Sequence, residues 1–184
     1  MKKFYLLNYH LLFLVISIIS WVYLLGIDYI NPTNVSWLNS GDLSTYQLGW
    51  EYFRNDKWRF PIGLNPNYGI YSDSNIVYSD SIPIFAIFFK LFNFLLPEKF
   101  QYFSIWILLC IYLQILFSYK IVYLGTENRL FSLLGSLFFL TASIFIHRSG
   151  IHLSLLGQWL ILCGIYIEIS KNSKKDYLRL ITLL

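Results

Sequence analysis

The stretch IPIFAIFFKLFNFLL, residues 82–96, decides how the chain is laid out. As an α-helix it reaches only about 22 Å, short of a ~30 Å hydrocarbon layer. Lys90 stands at its middle, and a central Lys costs roughly 2.5–3.5 kcal/mol on insertion scales. Pro83 suits the first turn of a helix and Pro97 marks its end. If 82–96 crossed a membrane, every later loop would invert and Lys171, Lys174 and Lys175 would fall outside the cytoplasm. If it lies along or dips into the outer interface, those three are inside with Lys2, Lys3, Lys120, Arg129 and Arg179. The short external loop 147–152 then carries Arg148 as its one Lys or Arg. Cytoplasmic loops carry the excess of Lys and Arg. We therefore expect an interfacial or re-entrant helix over 82–96.

Working outward, clear spans are expected at about 10–30, 101–123, 129–147 and 151–169, with the start of a fifth at 177–184. The chain of 184 residues is 57% hydrophobic and 13% charged, against roughly 25% charged in a soluble domain. Lipid must solvate the excess. The expectation is an all-α, polytopic helical membrane protein forming a single membrane domain. It would sit in the bacterial inner (plasma) membrane with its N-terminus cytoplasmic. Met1-Lys2-Lys3 before a long apolar run reads as an uncleaved signal anchor, since no small-x-small cleavage site follows. The run at 177–184 stops inside an incipient span, so the chain is read as the N-terminal part of a longer membrane protein, a natural short protein being the alternative. A net charge of +4 is explained by cytoplasmic loops and implies no nucleic acid partner. Cys110 and Cys163 lie in apolar runs and read as small core hydrophobes. The many Phe and Tyr residues are attributed to a nucleotide-biased genome.

Seven of the ten Asp and Glu residues fall between Asp28 and Glu98, six of them in the external region of about 31–100. Turn chemistry opens it at Asn31-Pro32-Thr33-Asn34. A short amphipathic helix is expected over about 43–55, where Leu43, Tyr46, Trp50 and Phe53 recur at helical spacing and would face the lipid interface. A breaker-rich loop follows from Phe60 to Gly69.

Asp42, just after Gly41, has two readings. Asp is a favoured N-cap for the helix that begins at Leu43. A carboxylate at a membrane surface is also a general base for an attacking hydroxyl. Asp73 is read as an exposed turn residue. Asp80 would either cap the helix starting near Pro83, or orient an acceptor or bind a divalent cation through oxygen ligands. Glu51 reads as a solvated helix-face charge beside Arg54. His147, Arg148 and His152 cluster in the short external loop. Arg148 would snorkel to lipid headgroups or, with His147 or His152, hold a phosphate in a bidentate clamp. Gln158 is expected to face the bundle, and Glu168 to reach water or Lys171. Metal dependence stays open, with a divalent cation as one candidate cofactor. No Walker loop, nucleophile elbow or dinucleotide fingerprint is present, so a soluble nucleotide-sugar site has no support.

A Lys-rich cytoplasmic start, one span, a large external loop with an early Asp, interfacial helices and then further spans resembles the GT-C superfamily of integral-membrane glycosyltransferases. Gly41-Asp42-Leu43 through Gly49-Trp50, Phe60-Pro61-x-Gly63-Leu64-Asn65-Pro66 and Val77-Tyr78-Ser79-Asp80-Ser81-Ile82-Pro83 also look like an uncharacterised bacterial membrane family near it. So do Phe100-Gln101-Tyr102 and His147-Arg148 to Gln158-Trp159-Leu160. The resemblance implies the N-terminal part of a GT-C-like bundle and a lipid-linked donor, a polyprenyl-phosphate sugar. It implies transfer of that sugar to an acceptor at the outer membrane face. Asp42 would be the first-loop acid, Asp80 a second acid, and Arg148 with His147 and His152 the phosphate-binding group. The alternative is a non-enzymatic transporter or assembly subunit for a polysaccharide or its lipid carrier. Sugar, acceptor and oligomeric state are left open.

Overall fold

The computed structural model describes residues 2–69 and 74–171. Asp73, Lys174, Lys175, Arg179 and the expected span start at 177–184 lie outside them. Among the described residues the chain is all-helical, with one isolated β-bridge between Leu64 and Asn75. Seven α-helices are described: α1 (Lys2–Leu25), α2 (Gly41–Asn55), α3 (Pro83–Leu91), α4 (Phe103–Thr126), α5 (Arg129–Leu140), α6 (Ser143–Ser149) and α7 (Trp159–Ser170). Two compact units emerge. One comprises Met1–Trp21, Leu108–His147 and Leu156–Leu184, the other Val22–Ile107 and Arg148–Leu155.

Among the described residues, two helical stretches are long and apolar enough to cross a membrane, Phe103–Thr126 and Leu153–Ser170. The pair α5 and α6 makes a third if it counts as one span, but its two halves are bent by 54°. The single helix expected over 129–147 is therefore broken. At the break Thr141 donates its hydroxyl back to Phe138 O (3.0 Å), and the Ala142 N–H reaches only three residues back, to Phe139 O (3.5 Å). Such hydroxyl back-bonding and tightening of the last turn bend helices. The helix expected from 151 is likewise irregular at its start: Leu153–Leu156 is a 3-10 turn before α7.

In the first unit, Phe13 of α1 is buried and meets Tyr119 of α4 at 5.0 Å between ring centroids. His10 Nδ1 lies 2.6 Å from the Tyr112 hydroxyl. Gly135 of α5 lets Val122 approach, since a Cβ there would meet Val122 Cγ2 at 3.0 Å. Phe117 stacks on Trp159 of α7 at 6.1 Å.

The second unit holds the polar stretch. Gly41 has φ +55°, a left-handed conformation that favours glycine, and it turns the chain into α2. Asp42 in the first turn and Arg54 in the last complement the helix dipole. The stripe Tyr46, Trp50 and Phe53 is 2%, 0% and 1% exposed, so it faces protein and not the lipid interface. Trp50 explains the difference. Its indole N–H donates to Phe100 O at 2.9 Å, and its ring meets Tyr102 edge-on at 5.0 Å. Such an aromatic pair contributes about 1 kcal/mol beyond burial. Phe89 stacks on Tyr102 within 3° of parallel, and Phe85 packs edge-on against Trp106. Part of the aromatic complement, Tyr46, Trp50, Phe53, Tyr102 and Phe103, thus forms this unit's core, while Phe60, Tyr78 and Phe94 are exposed.

Within 82–96 the α-helix covers only Pro83–Leu91, followed by a 3-10 turn at Asn93–Leu95. Arg54 accounts for the early stop. It donates to Asn93 Oδ1 (2.9 Å), Glu98 O (3.1 Å) and Pro97 O (3.0 Å), while Asn93 Nδ2 returns a bond to Arg54 O (3.1 Å). The helix is inverted relative to one in water. Ile84, Phe88, Leu91, Phe94 and Leu95 are exposed, whereas Lys90 is 5% exposed. Its ammonium lies 4.0 Å from the Phe53 ring centroid and 4.8 Å from that of Trp58. Desolvated cation–π contacts of this kind reach ~2 kcal/mol. Burial holds Lys90 below the usual lysine range, with the nearby Asp56 charge opposing.

Candidate functional site

α2 runs past the turn Ser79–Ser81 at Gly49, where an added Cβ would sit 2.1 Å from Ser79 Oγ and 2.6 Å from Ser81 Oγ. The Ser81 hydroxyl donates to Tyr46 O at 2.7 Å, Ser79 Oγ lies 2.8 Å from Ser81 Oγ, and Tyr102 donates to Ser81 O. Asp80 and Ile82 flank the buried Ser81 with φ of +53° and +49°. A β-branched residue at positive φ is strained, and the surrounding bonds hold it. This turn projects Asp80 outward while its neighbours are locked.

Neither acid is the N-cap of an α-helix, and Asp80 instead closes the 3-10 turn Ile76–Ser79 as its C-cap. Ser40 occupies the N-cap of α2 without a side-chain bond, and Asp42 sits in the first turn. Ile82 is the N-cap of α3, also without a side-chain bond. The expected capping roles of Asp42 and Asp80 are thus replaced by dipole placement for Asp42 and by a left-handed turn position for Asp80. Asp42 Oδ2 instead lies 3.6 Å from His152 Nδ1, slightly beyond a hydrogen bond. His152 is fixed by its own turn, its N–H donating to Arg148 O at 3.1 Å. Next to it, Trp106 donates to Leu153 O at 2.7 Å.

Tyr46 joins these residues, and reading it as a lipid-facing aromatic missed this. It lies one helical turn after Asp42 on α2, and its hydroxyl is 3.5 Å from Ile151 O. Burial, and after it the charges of Asp80 and Asp42, push the hydroxyl up to about 12, with Arg148 pulling the other way. The phenol stays protonated at neutral pH and is a hydrogen-bond donor. The i, i+4 spacing of Asp42 and Tyr46 was the available signal. Arg148 is half-buried; its carbonyl accepts from the Ile151 and His152 N–H groups, while its side chain makes no hydrogen bond or ion pair among the described residues. His147 is exposed on α6 and falls in the first unit, apart from the other four.

Glu51 stands near Arg54 as the spacing expects, but it is half-buried and not fully solvated. Its carboxylate accepts from Gln47 Nε2 at 2.8 Å, and burial holds it above the usual carboxylate range against the pull of Arg54. Among the described residues no three His, Cys, Asp or Glu side chains group as metal ligands. Asp42 with His152 gives only two such groups in contact, so the residues present do not build a cation cage.

No curated protein and no solved structure matches the chain. Residues 14–184 match the family described as Domain of unknown function (DUF6311), and the chain belongs to that family.

Proposed function

We propose that this chain is the glycosyl-transferring part of a polytopic inner-membrane protein, with the second unit on the outer face and the N-terminus in the cytoplasm. The observation that carries the reading is the approach of Asp42 to His152, at 3.6 Å. Tyr46 follows Asp42 by one helical turn and feels the charges of Asp80, Asp42 and Arg148. A carboxylate base, a neutral phenol and a cation with no ion pair among the described residues suit sugar transfer from a lipid phosphate.

The chemistry is as follows. Asp42 takes the proton of an acceptor hydroxyl. The oxygen attacks the anomeric carbon of a polyprenyl-phosphate sugar, and the bond from that carbon to the phosphate oxygen breaks. The leaving phosphate takes the electron pair, and the Arg148 guanidinium offsets its charge in the bidentate manner suited to phosphate. His152 orients Asp42, and Asp80 orients the acceptor. The buried Tyr46 hydroxyl steadies the turn that carries Arg148 and His152 through Ile151 O.

Asp42→Asn in the membrane-inserted protein lowers transfer from a polyprenyl-phosphate sugar by roughly 10²–10⁴-fold and leaves insertion unchanged. Normal turnover in that variant removes the mechanism. The topology has its own test: a reporter fused after Lys175 lies in the cytoplasm, and one found outside defeats the arrangement.

A further inference from the structure

A second cleft, open to solvent and of mixed polar and apolar surface, lies in the same unit at the other end of α2. It measures 570 Å³ and is lined by Glu51, Tyr52, Asn55, Asp56 and Asn67. From Asp42 to Glu51 is about 13 Å along the helix. We infer that this cleft binds a neutral or amine-bearing oligosaccharide through Glu51, Asn55 and Asn67, with Tyr52 as its stacking platform. As the arm that holds the acceptor glycan, it rests on the glycosyl-transfer reading; as a binding site it does not.

The polar groups are pre-set. Glu51 is held by Gln47 Nε2, and Gln47 is itself 6% exposed with its Oε1 lacking a partner among the described residues. Gln47 does not itself line the cleft; its role is to fix the Glu51 carboxylate from behind. Asn55 Nδ2 donates to Glu51 O at 2.9 Å, leaving its amide oxygen for a ligand. Asp56 is neutralised by Arg59 at 2.6 Å and accepts the Lys57 N–H at 2.8 Å.

The aromatic wall is equally fixed. Tyr52, 47% exposed, meets Tyr68 edge-on at 6.1 Å, and the Tyr68 hydroxyl donates to Thr45 O at 3.4 Å. Among the described residues no cation lines the cleft, which disfavours a phosphate. Carboxylates and amides set among apolar ring and methylene surface suit a ligand of mixed character. Acceptors for many hydroxyls beside an exposed ring suit a sugar, which offers hydroxyls at its rim and an apolar C–H face.

The test is binding of glucose, N-acetylglucosamine and glucosamine tri- and tetrasaccharides to the full chain in lipid nanodiscs, followed by saturation-transfer NMR and titration calorimetry. Wild type binds at least one of them. Glu51→Gln and Tyr52→Ala each weaken that binding by about tenfold or more, with unchanged melting temperature, while Asp42→Asn leaves it unaltered. Failure of wild type to bind any probe overturns the inference, and so does wild-type affinity in Tyr52→Ala. Cleft variants that bind normally while Asp42→Asn abolishes transfer sink the cleft alone. Loss of binding in the cleft variants with full transfer by Asp42→Asn supports the cleft and sinks the transfer mechanism.

Discussion

Gly49→Ala is the sharpest test of how the Asp80 turn is held. The new methyl would lie 2.1 Å from Ser79 Oγ and 2.3 Å from Ser79 Cβ, about 1.3 Å short of ordinary van der Waals contact at 3.4 Å. Neither neighbour can swing away, because Ser79 Oγ donates to Ile76 O at 3.0 Å and Ser81 Oγ to Tyr46 O at 2.7 Å. Overpacking of a tight contact costs about 1–3 kcal/mol. The displaced turn also gives up its bonds at Ser79 and Ser81, each worth about 1 kcal/mol. The variant therefore loses roughly 3–5 kcal/mol, a drop of roughly 6–20 °C in melting temperature for a chain of this size. Thermal unfolding of the detergent-solubilised protein, followed through tryptophan fluorescence, reads this directly. The accompanying variant is Ser79→Gly, which removes the two nearest clashing atoms at the cost of Ser79's own hydrogen bonds and leaves Ser81 Oγ at 2.6 Å. The double variant recovers about 1–2 kcal/mol relative to the sum of the two single changes. A Gly49→Ala protein that melts with wild type, or strictly additive costs, refutes the reasoning.

Acid should loosen the loop after α2. Arg59 hydrogen bonds first, then the Lys57 N–H, hold the Asp56 carboxyl below its usual value. A folded pKa below the unfolded one gives stability that is present above the unfolded value of about 3.9. That stability is lost as pH falls through the lower, folded value. Trp58 fluorescence, whose ring abuts Phe53 and Lys90, shifts as pH drops below about 4, and Asp56→Asn abolishes that dependence. Single cysteines at Ile84, Phe88 and Phe94 react with lipid-soluble and not water-soluble maleimides, because these side chains are 73%, 54% and 81% exposed on an apolar face. Reaction with the water-soluble reagent at all three positions defeats the interfacial placement. Arg148→Ala weakens binding of polyprenyl phosphate at least tenfold, as loss of a charge-assisted contact implies. Unchanged binding removes Arg148 from the phosphate clamp.

Helix positions in the polar stretch were legible where the pattern was local. Leu43, Tyr46, Trp50 and Phe53 marked α2, and Pro83 marked the first turn of α3. What covers a helical face was not legible. Periodicity groups Tyr46, Trp50 and Phe53 on one stripe but does not say whether lipid or Phe100–Tyr102 lies opposite. The same blindness hid the aromatic core. Lys90 counted against membrane insertion in the sequence, but its burial against Phe53 and Trp58 was not legible, because those rings are over thirty positions away. At the site, the acids were found by residue type and surroundings. The approach of Asp42 to His152, separated by 110 positions, is a tertiary fact that no spacing reveals. Capping was over-read at both acids because Gly41 and Ile82 take left-handed conformations that shift the caps by one or two positions.

Arg54 has a further consequence for how this region tolerates change. Two of its three acceptors are main-chain carbonyls, at Pro97 and Glu98, which every residue type supplies. The side chain at position 98 can drift without loosening this clasp. The guanidinium cannot be exchanged for an ammonium, because a lysine lacks the planar fork that reaches separated oxygens together. Sequence variation here should therefore be lopsided: free at the acceptors and frozen at the donor.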